Sequence, residues 1–313
     1  MSTTDDNLFI GNYVAAFIDI LGQRNALSSF SILPDTDDPQ QRAKFVAMLK
    51  ETLGVVRGIH DICTKFFDGY ATPYDGPELP QDKRELFETM RQMDVRFQRF
   101  SDGLVVYHSI ADSVVKCPTR AIFGMLGACG SACLVGLAAS RPIRGGIELG
   151  WGAELWKNEL YGSVVPKAYT LESEVAQYPR VAVGGDVLAY LHSFENNDES
   201  DIFSKFNKKL AHDCLELMCI DCDGVVIVDY LGQGFREHLN MSSSLDPKVI
   251  ATAFHFVLEQ LDFWAHKRNT KLVSRYMMLR DYFSARLHLW MSEAELRENL
   301  NPGISNQSDP ATA

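Results

Sequence analysis

The order of apolar segments along the chain predicts an α+β protein, an antiparallel sheet with helices on one face and extra helices at the C-terminal end. Three observations carry the prediction. A strongly apolar run at 13–20 precedes a long amphipathic segment at 41–67. Residues 94–108 alternate, turn and return. An apolar helical stretch after Pro118 then leads into a second strand beginning at Ile143.

The first run, Tyr13-Val-Ala-Ala-Phe-Ile-Asp-Ile, is rich in β-branched and aromatic residues and ends on a carboxylate, Asp19, before Leu21-Gly22. After a polar loop at 34–39, Phe45, Met48, Leu49, Leu53, Val56 and Ile59 recur at three- and four-residue spacing, the mark of a helix with one apolar face. Residues 68–80 are rich in turn formers. Val95-Arg-Phe-Gln-Arg-Phe, Ser101-Asp-Gly and Leu104-Val-Val-Tyr-His then form the clearest hairpin. The stretch 121–139 is the most apolar in the chain, and Gly124, Gly127, Gly130 and Gly136 mark it as a closely packed core helix rather than a membrane span. A strand at 143–150, β structure around 151–160, a helix from Gly162 to Ala176 and a short strand at 180–183 follow. This order is that of a ferredoxin-like sheet, in which the first strand lies beside the hairpin. A strand at 224–230 and helical runs at 247–268 and 270–296 complete the ordered chain.

With 313 residues the chain is long enough for one large domain or a domain with an appendage. Its net charge of -11 argues against a nucleic-acid surface, because such surfaces collect cations to replace phosphate counterions. A single small anion in a pocket remains compatible with that charge. The polar, acidic first seven residues lack the features of a secretory signal. Seven cysteines, an odd number, then suggest reduced thiols and a cytoplasmic protein with no membrane partner. Cys219-Ile-Asp-Cys222 has CxxC spacing without a second ligand pair, and is read as coincidence. Trp151, Trp156, Trp264 and Trp290 are read as core or dimer anchors.

The chemistry rests on two carboxylates. An aspartate closing an apolar strand has no turn to make and is costly to bury without a partner. Asp102 sits on a tight turn that the first strand's end can approach. Hard divalent ions such as Mg²⁺ or Mn²⁺ take carboxylate oxygens, and a pair of such ions serves phosphoryl transfer. Backbone N–H groups after Asp19, at Leu21 and Gly22, can cradle a phosphate.

Four motifs then carry a resemblance. Phe17-Ile-Asp-Ile-Leu-Gly22, Phe100-Ser-Asp-Gly103, Arg144-Gly-Gly-Ile147, and Ala168-Tyr-Thr-Leu-Glu172 with Tyr178-Pro-Arg180 resemble class III nucleotide cyclases. Within that class they resemble most the bacterial pyrimidine cyclases of the Pycsar anti-phage systems. The resemblance covers about residues 13–190. It implies a catalytic core at 1–195, leaving a C-terminal strand and helical extension at 196–300 and a disordered tail at 301–313.

The resemblance further implies a sheet of class III cyclase type and a homodimer with active sites at the interface. The reaction would convert a nucleoside triphosphate, UTP or CTP, to a 3′,5′-cyclic monophosphate and pyrophosphate, and a separate effector would read the product. Asp19, Asp102 and the carbonyl of Ile20 would hold two Mn²⁺ or Mg²⁺ ions, and Phe17, Leu21, Gly22 and Gln98 would line the nucleotide. Gln98 offers both a donor and an acceptor to a pyrimidine edge, and it can equally serve an ordinary cross-strand role. The pattern departs from the purine cyclases at Pro166 and Thr170, which stand where those enzymes carry an Asn and a transition-state Arg. Arg24, Arg144, Lys157 and Lys167 are the substitutes the sequence offers. Without that Asn and Arg, a degenerate fold that binds a nucleotide and signals by contact is the second expectation.

Overall fold

A computed structural model describes residues 9–23, 27–30, 32–35, 37–70, 80–91, 95–100, 103–110, 116–156, 158–195, 201–239 and 246–300. Side chains at 69, 70, 82, 87, 90, 91 and 298–300 are outside that description. The chain runs through β1 (Phe9–Ile20), α1 (Pro39–Tyr70), α2 (Gln81–Arg91), β2 (Arg96–Phe100), β3 (Gly103–Ser109), α3 (Pro118–Ala138), β4 (Ile143–Trp156) and β5 (Glu159–Gly162). Then come α4 (Val164–Thr170), which continues as a π-helical segment (Leu171–Ala176), β6 (Val181–Val183), α5 (Gly185–Ser193), α6 (Ile202–Glu216), β7 (Met218–Ile220) and β8 (Val226–Val228). Helices α7 (Gln233–His238), α8 (Pro247–His266), α9 (Thr270–Ser284), α10 (Leu287–Trp290) and α11 (Glu293–Leu300) close the described chain.

The protein is α+β, with a mixed, mostly antiparallel open sheet in the order β2-β3-β1-β4-β6-β8-β7 and β5 paired to β4. Strand β1 is antiparallel to both β3 and β4, and the α1–α2 and α3 connections make the first four strands a split β-α-β arrangement. Only β4 and β6 are parallel. Strands β7 and β8, from the predicted C-terminal extension, close the far edge of the same sheet, and Ile227, Phe235, Ile250 and Phe283 belong to the same core as Val14 and Ile18.

Alternation along β1 assigns the two faces. Val14, Ala16, Ile18 and Ile20 point into the large core beneath α1, α3, α6, α8 and α9. Tyr13, Ala15 and Phe17 point to the other face, where a small cluster is closed by Leu160 of β5 and Val164 of α4. The second face is therefore not bare of helix: α4 and its π-helical continuation lie across it.

Helix α3 is buried almost throughout, and it is the one described helix long and apolar enough to cross a membrane. It is instead enclosed by protein, because its glycines admit neighbours closer than any side chain would. A Cβ at Gly127 would stand 2.3 Å from the Phe66 ring of α1, and one at Gly130 would stand 2.5 Å from the Phe235 ring of α7. Two later helices, α6 and α8, are capped from the sequence: Asp201 accepts from the N–H groups of Phe203 and Ser204, and Asp246 from that of Lys248, with Pro247 at the first helical position.

The long elements fall where the sequence predicts them, with β1 starting at Phe9 and α1 reaching Tyr70. The predicted helix at 270–296 divides into α9, α10 and α11. Trp151 and Trp156 are half and mostly exposed, so the core part of their expected role does not hold; Trp264 and Trp290 do pack against the core. The predicted tail at 301–313 lies outside the described residues.

Candidate functional site

Asp19 stands near the end of β1 on the face shared by Phe17. The register sets it between Gly103 of β3 and Arg144 of β4, so one row of the sheet joins three of the motifs found in the sequence. Asp102 immediately precedes Gly103 in the chain but lies outside the described residues, as do Arg24 and Lys157.

The Arg144 side chain, 22% exposed, carries the main electrostatics of this row. One of its terminal nitrogens lies 3.5 Å from Asp19 Oδ2, and its Nε makes a closer ion pair with Glu172, which is buried. Glu172 reaches Arg144 because the π-helical segment lies directly on β4: a Cβ on Gly146 would stand 2.4 Å from the Ala168 carbonyl and 2.7 Å from the Glu172 nitrogen. Close helix packing is thus what Gly146 provides. Glu148, two residues further on the same face, accepts from the N–H groups of Leu149 and Val187 and so caps α5. Burial pushes its carboxyl up, against the pull of those two hydrogen bonds.

Around Asp19 the aromatic side chains cluster. The Phe17 ring stacks on Phe100 at 6.1 Å between centroids and meets Tyr169 edge-on at 5.2 Å, and both partners are exposed. Ile20 pairs with Ile143 and buries its side chain on the helical face. Leu21 donates its N–H to the Pro142 carbonyl at 2.9 Å, so this N–H is committed within the fold. Gly22 takes a φ of +90°, which a side chain would strain. Next to it a cavity of about 140 Å³ is lined by Gln23, Thr52, Glu51 and Arg141, the last two forming an ion pair.

The remaining predicted contacts are held by the protein itself. Gln98 accepts the Leu160 N–H at 3.2 Å, a link from β2 to β5. Lys167 is bound to Asp186 at 2.7 Å on the surface. Neither is directed to Asp19 by these bonds.

A second charged cluster lies at the same end of the sheet. Residue 145 of β4 pairs in parallel with Val181 and donates to the Arg180 carbonyl, which brings Arg180 alongside Arg144. Arg180 is buried and donates to the carbonyls of Val175 and Ala176, to Asp221 at 2.7 Å, and to both oxygens of Asp223 at 2.9 and 2.6 Å. Tyr178 donates to Asp221 and stacks beneath the guanidinium. Burial lifts the Asp221 carboxyl, but the bonds from Tyr178 and Arg180 outweigh it and hold the group below its ordinary 3.8. Arg180 does the same for Asp223. This cluster pins the π-helical segment to the β7–β8 turn.

Hard divalent ions require oxygen donors, and on β1 the partly exposed Asp19 carboxylate fits that requirement. Arg144 holds it at the long end of ion-pair distance because Glu172 is the closer partner. Elsewhere, Asp213 and Glu216 of α6 and His238 of α7 bring three ligand atoms within 4.8 Å of one another and could bind a metal. None of the three was singled out in the sequence. Lys209 at 2.5 Å from Asp213 and the Glu216–His238 contact already engage these ligand atoms within the protein. Cys219 and Cys222 are free thiols near the β7–β8 turn, and the described residues supply them no further metal ligand.

Comparison with protein-family models and with curated proteins finds no match for the chain.

Proposed function

We propose that the protein is a cytoplasmic pyrimidine nucleotide cyclase that converts UTP to 3′,5′-cyclic UMP and pyrophosphate, a second messenger for anti-phage defence. The observation that carries the reading is the register that sets Asp19 opposite Gly103, the residue after Asp102, with Arg144 on the other side. The motif resemblance supplies the reaction, the base preference and the biological role.

Two divalent ions bound by Asp19, Asp102 and the Ile20 carbonyl would supply charge neutralisation and a more acidic ribose 3′-hydroxyl. The chain's own residues do the rest. Arg144 lies 3.5 Å from Asp19, and it takes the place of the arginine missing at Thr170 by facing negative charge developing on the phosphate. Glu172 fixes the direction of that guanidinium. Phe17, Phe100 and Tyr169 present ring faces on which a pyrimidine stacks. A second copy of the chain completes the site. Trp151, Trp156, Tyr161 and Leu155, exposed along β4 and β5, are its contact surface.

Purified protein with Mn²⁺ and each of ATP, GTP, CTP and UTP, with products resolved by mass, tests the reading. Cyclic UMP should dominate, and Asp19→Ala or Asp102→Ala should abolish it. Retained cyclisation in either variant would sink the assignment. Unchanged substrate preference in Gln98→Ala would confine Gln98 to its bond with Leu160.

A specific observation favours a second reading, a nucleotide-binding signalling module without turnover. The Leu21 N–H, Gln98 and Lys167 are all occupied by partners within the protein. Tight UTP binding with no product from any triphosphate would select it.

A further inference from the structure

A cavity of about 370 Å³ opens between residues 177–180, the β7–β8 turn and the face of α9. Arg180, Lys271 and Arg275 line it against a single carboxylate, Asp223, in a protein whose net charge is -11. Asp223 is already held by both terminal nitrogens of Arg180. Lys271 and Arg275 stand four residues apart on α9, so they share one helix face, where two like charges repel. Arg275 is half-buried and has no carboxylate or hydrogen-bond partner among the described residues. Burial, and then the charge of Arg144, pull its guanidinium below the ordinary range. Arg180 is taken up by Asp221 and Asp223, whereas a half-buried Arg275 on the same helix face as Lys271 is unfavourable unless an anion sits beside them.

We propose that this cavity binds a phosphate-bearing small anion, held by Arg275 and Lys271 of the C-terminal helix. A planar guanidinium grips two phosphate oxygens at once, a lysine adds a point charge, and Ser274 on the same wall adds a hydroxyl. The anion is either a free phosphate or pyrophosphate, or the polyphosphate of a nucleotide whose other end lies at Asp19. The second source rests on the cyclase reading; the pocket itself does not. Arg144 faces Asp19 and its charge also acts on Arg275, although it does not itself line the cavity. The C-terminal helices thereby become part of the binding site.

The test is calorimetric titration of the full-length protein with pyrophosphate, UTP and uridine in the presence of EDTA, where no metal-dependent turnover occurs. Pyrophosphate and UTP should bind and uridine should not. Arg275→Glu and Lys271→Glu should each weaken pyrophosphate by at least about tenfold, the value of one charge-assisted bond, and Arg275→Lys by less. Lys271 is exposed, so its variant tests the pocket even if Arg275→Glu fails to fold. Competition between pyrophosphate and UTP identifies the substrate's polyphosphate as the anion, whereas simultaneous binding identifies a separate phosphate ligand. Undiminished pyrophosphate affinity in Lys271→Glu and Arg275→Glu, or no binding to the parent protein at millimolar concentration, would overturn the proposal. A protein that binds pyrophosphate here yet cyclises nothing loses the cyclase reading and keeps the pocket.

Discussion

The helix-covered face of the sheet and the charged end that carries Asp19 are held together by different forces. Under α3 and α8 the contacts are mostly apolar and close, as where Phe235 sits over Gly130, with Thr119, Arg120 and Ser131 the buried polar exceptions on α3. At the end of β1, β4 and β6, Arg144 and Arg180 are each shared between two carboxylates. Apolar packing is indifferent to pH and direction, whereas a buried ion pair depends on protonation and geometry. The difference teaches that stability is concentrated on one side, leaving the other free to keep charged groups in a strained balance that a ligand can tip.

The largest effect expected from breaking this contrast is at Arg180. Replacing it with Met leaves Asp221 buried without its cation and should cost about 3–5 kcal/mol by urea denaturation. Leu126→Ala, on the apolar side, removes a fully buried side chain from α3 and should cost about 2–5 kcal/mol, equally at pH 7 and pH 4.5.

Acid should separate the two regions. The folded values of Asp221 and Asp223 lie below their ordinary 3.8, so their stabilisation is complete above 3.8 and is lost as pH falls through the depressed values. Thermal unfolding followed from pH 5 down to pH 2 should therefore show a steeper acid limb in the parent than in Arg180→Met. Parallel limbs would remove those aspartates as the titrating groups. Asp19→Asn should alter stability by less than about 1 kcal/mol, since Arg144 keeps Glu172, while eliminating any metal-dependent turnover. The smallest stability change, within about 0.5 kcal/mol, belongs to Trp151→Ser with Trp156→Ser. Under the proposed dimer the parent should sediment as a dimer and the double variant as a monomer; a dimer in both would move the proposed interface elsewhere, and a monomeric parent would remove it.

The sequence made the apolar side legible because periodicity is loud where burial is continuous. The apolar run of β1, the spacing of α1 and the glycine-studded α3 all follow from it. Helices α2, α5, α6 and α7 and strand β7 were not anticipated. Gln81–Arg91 is short and strongly polar, Ile202–Glu216 is an amphipathic helix whose apolar positions are interrupted by a run of lysines, and Met218–Ile220 is a three-residue strand whose place is set by β8. At the site, Asp19 and the hairpin were legible, since each is a local break in an apolar pattern. The Arg144–Glu172 pair was not, because it depends on how closely the π-helical segment lies on Gly146. Lys271 and Arg275 had only their four-residue spacing to offer, and that is common on exposed helices.

Strand β1 is hydrogen bonded on both flanks from Tyr13 to Asp19. Amides in that stretch are protected until the neighbouring strands separate, so Asp19 should ride on slowly exchanging backbone. A signal that tunes this site would act through the side chains laid across it, such as Glu172 and Tyr169 from the π-helical segment and α4, with the strand that carries Asp19 as the fixed reference.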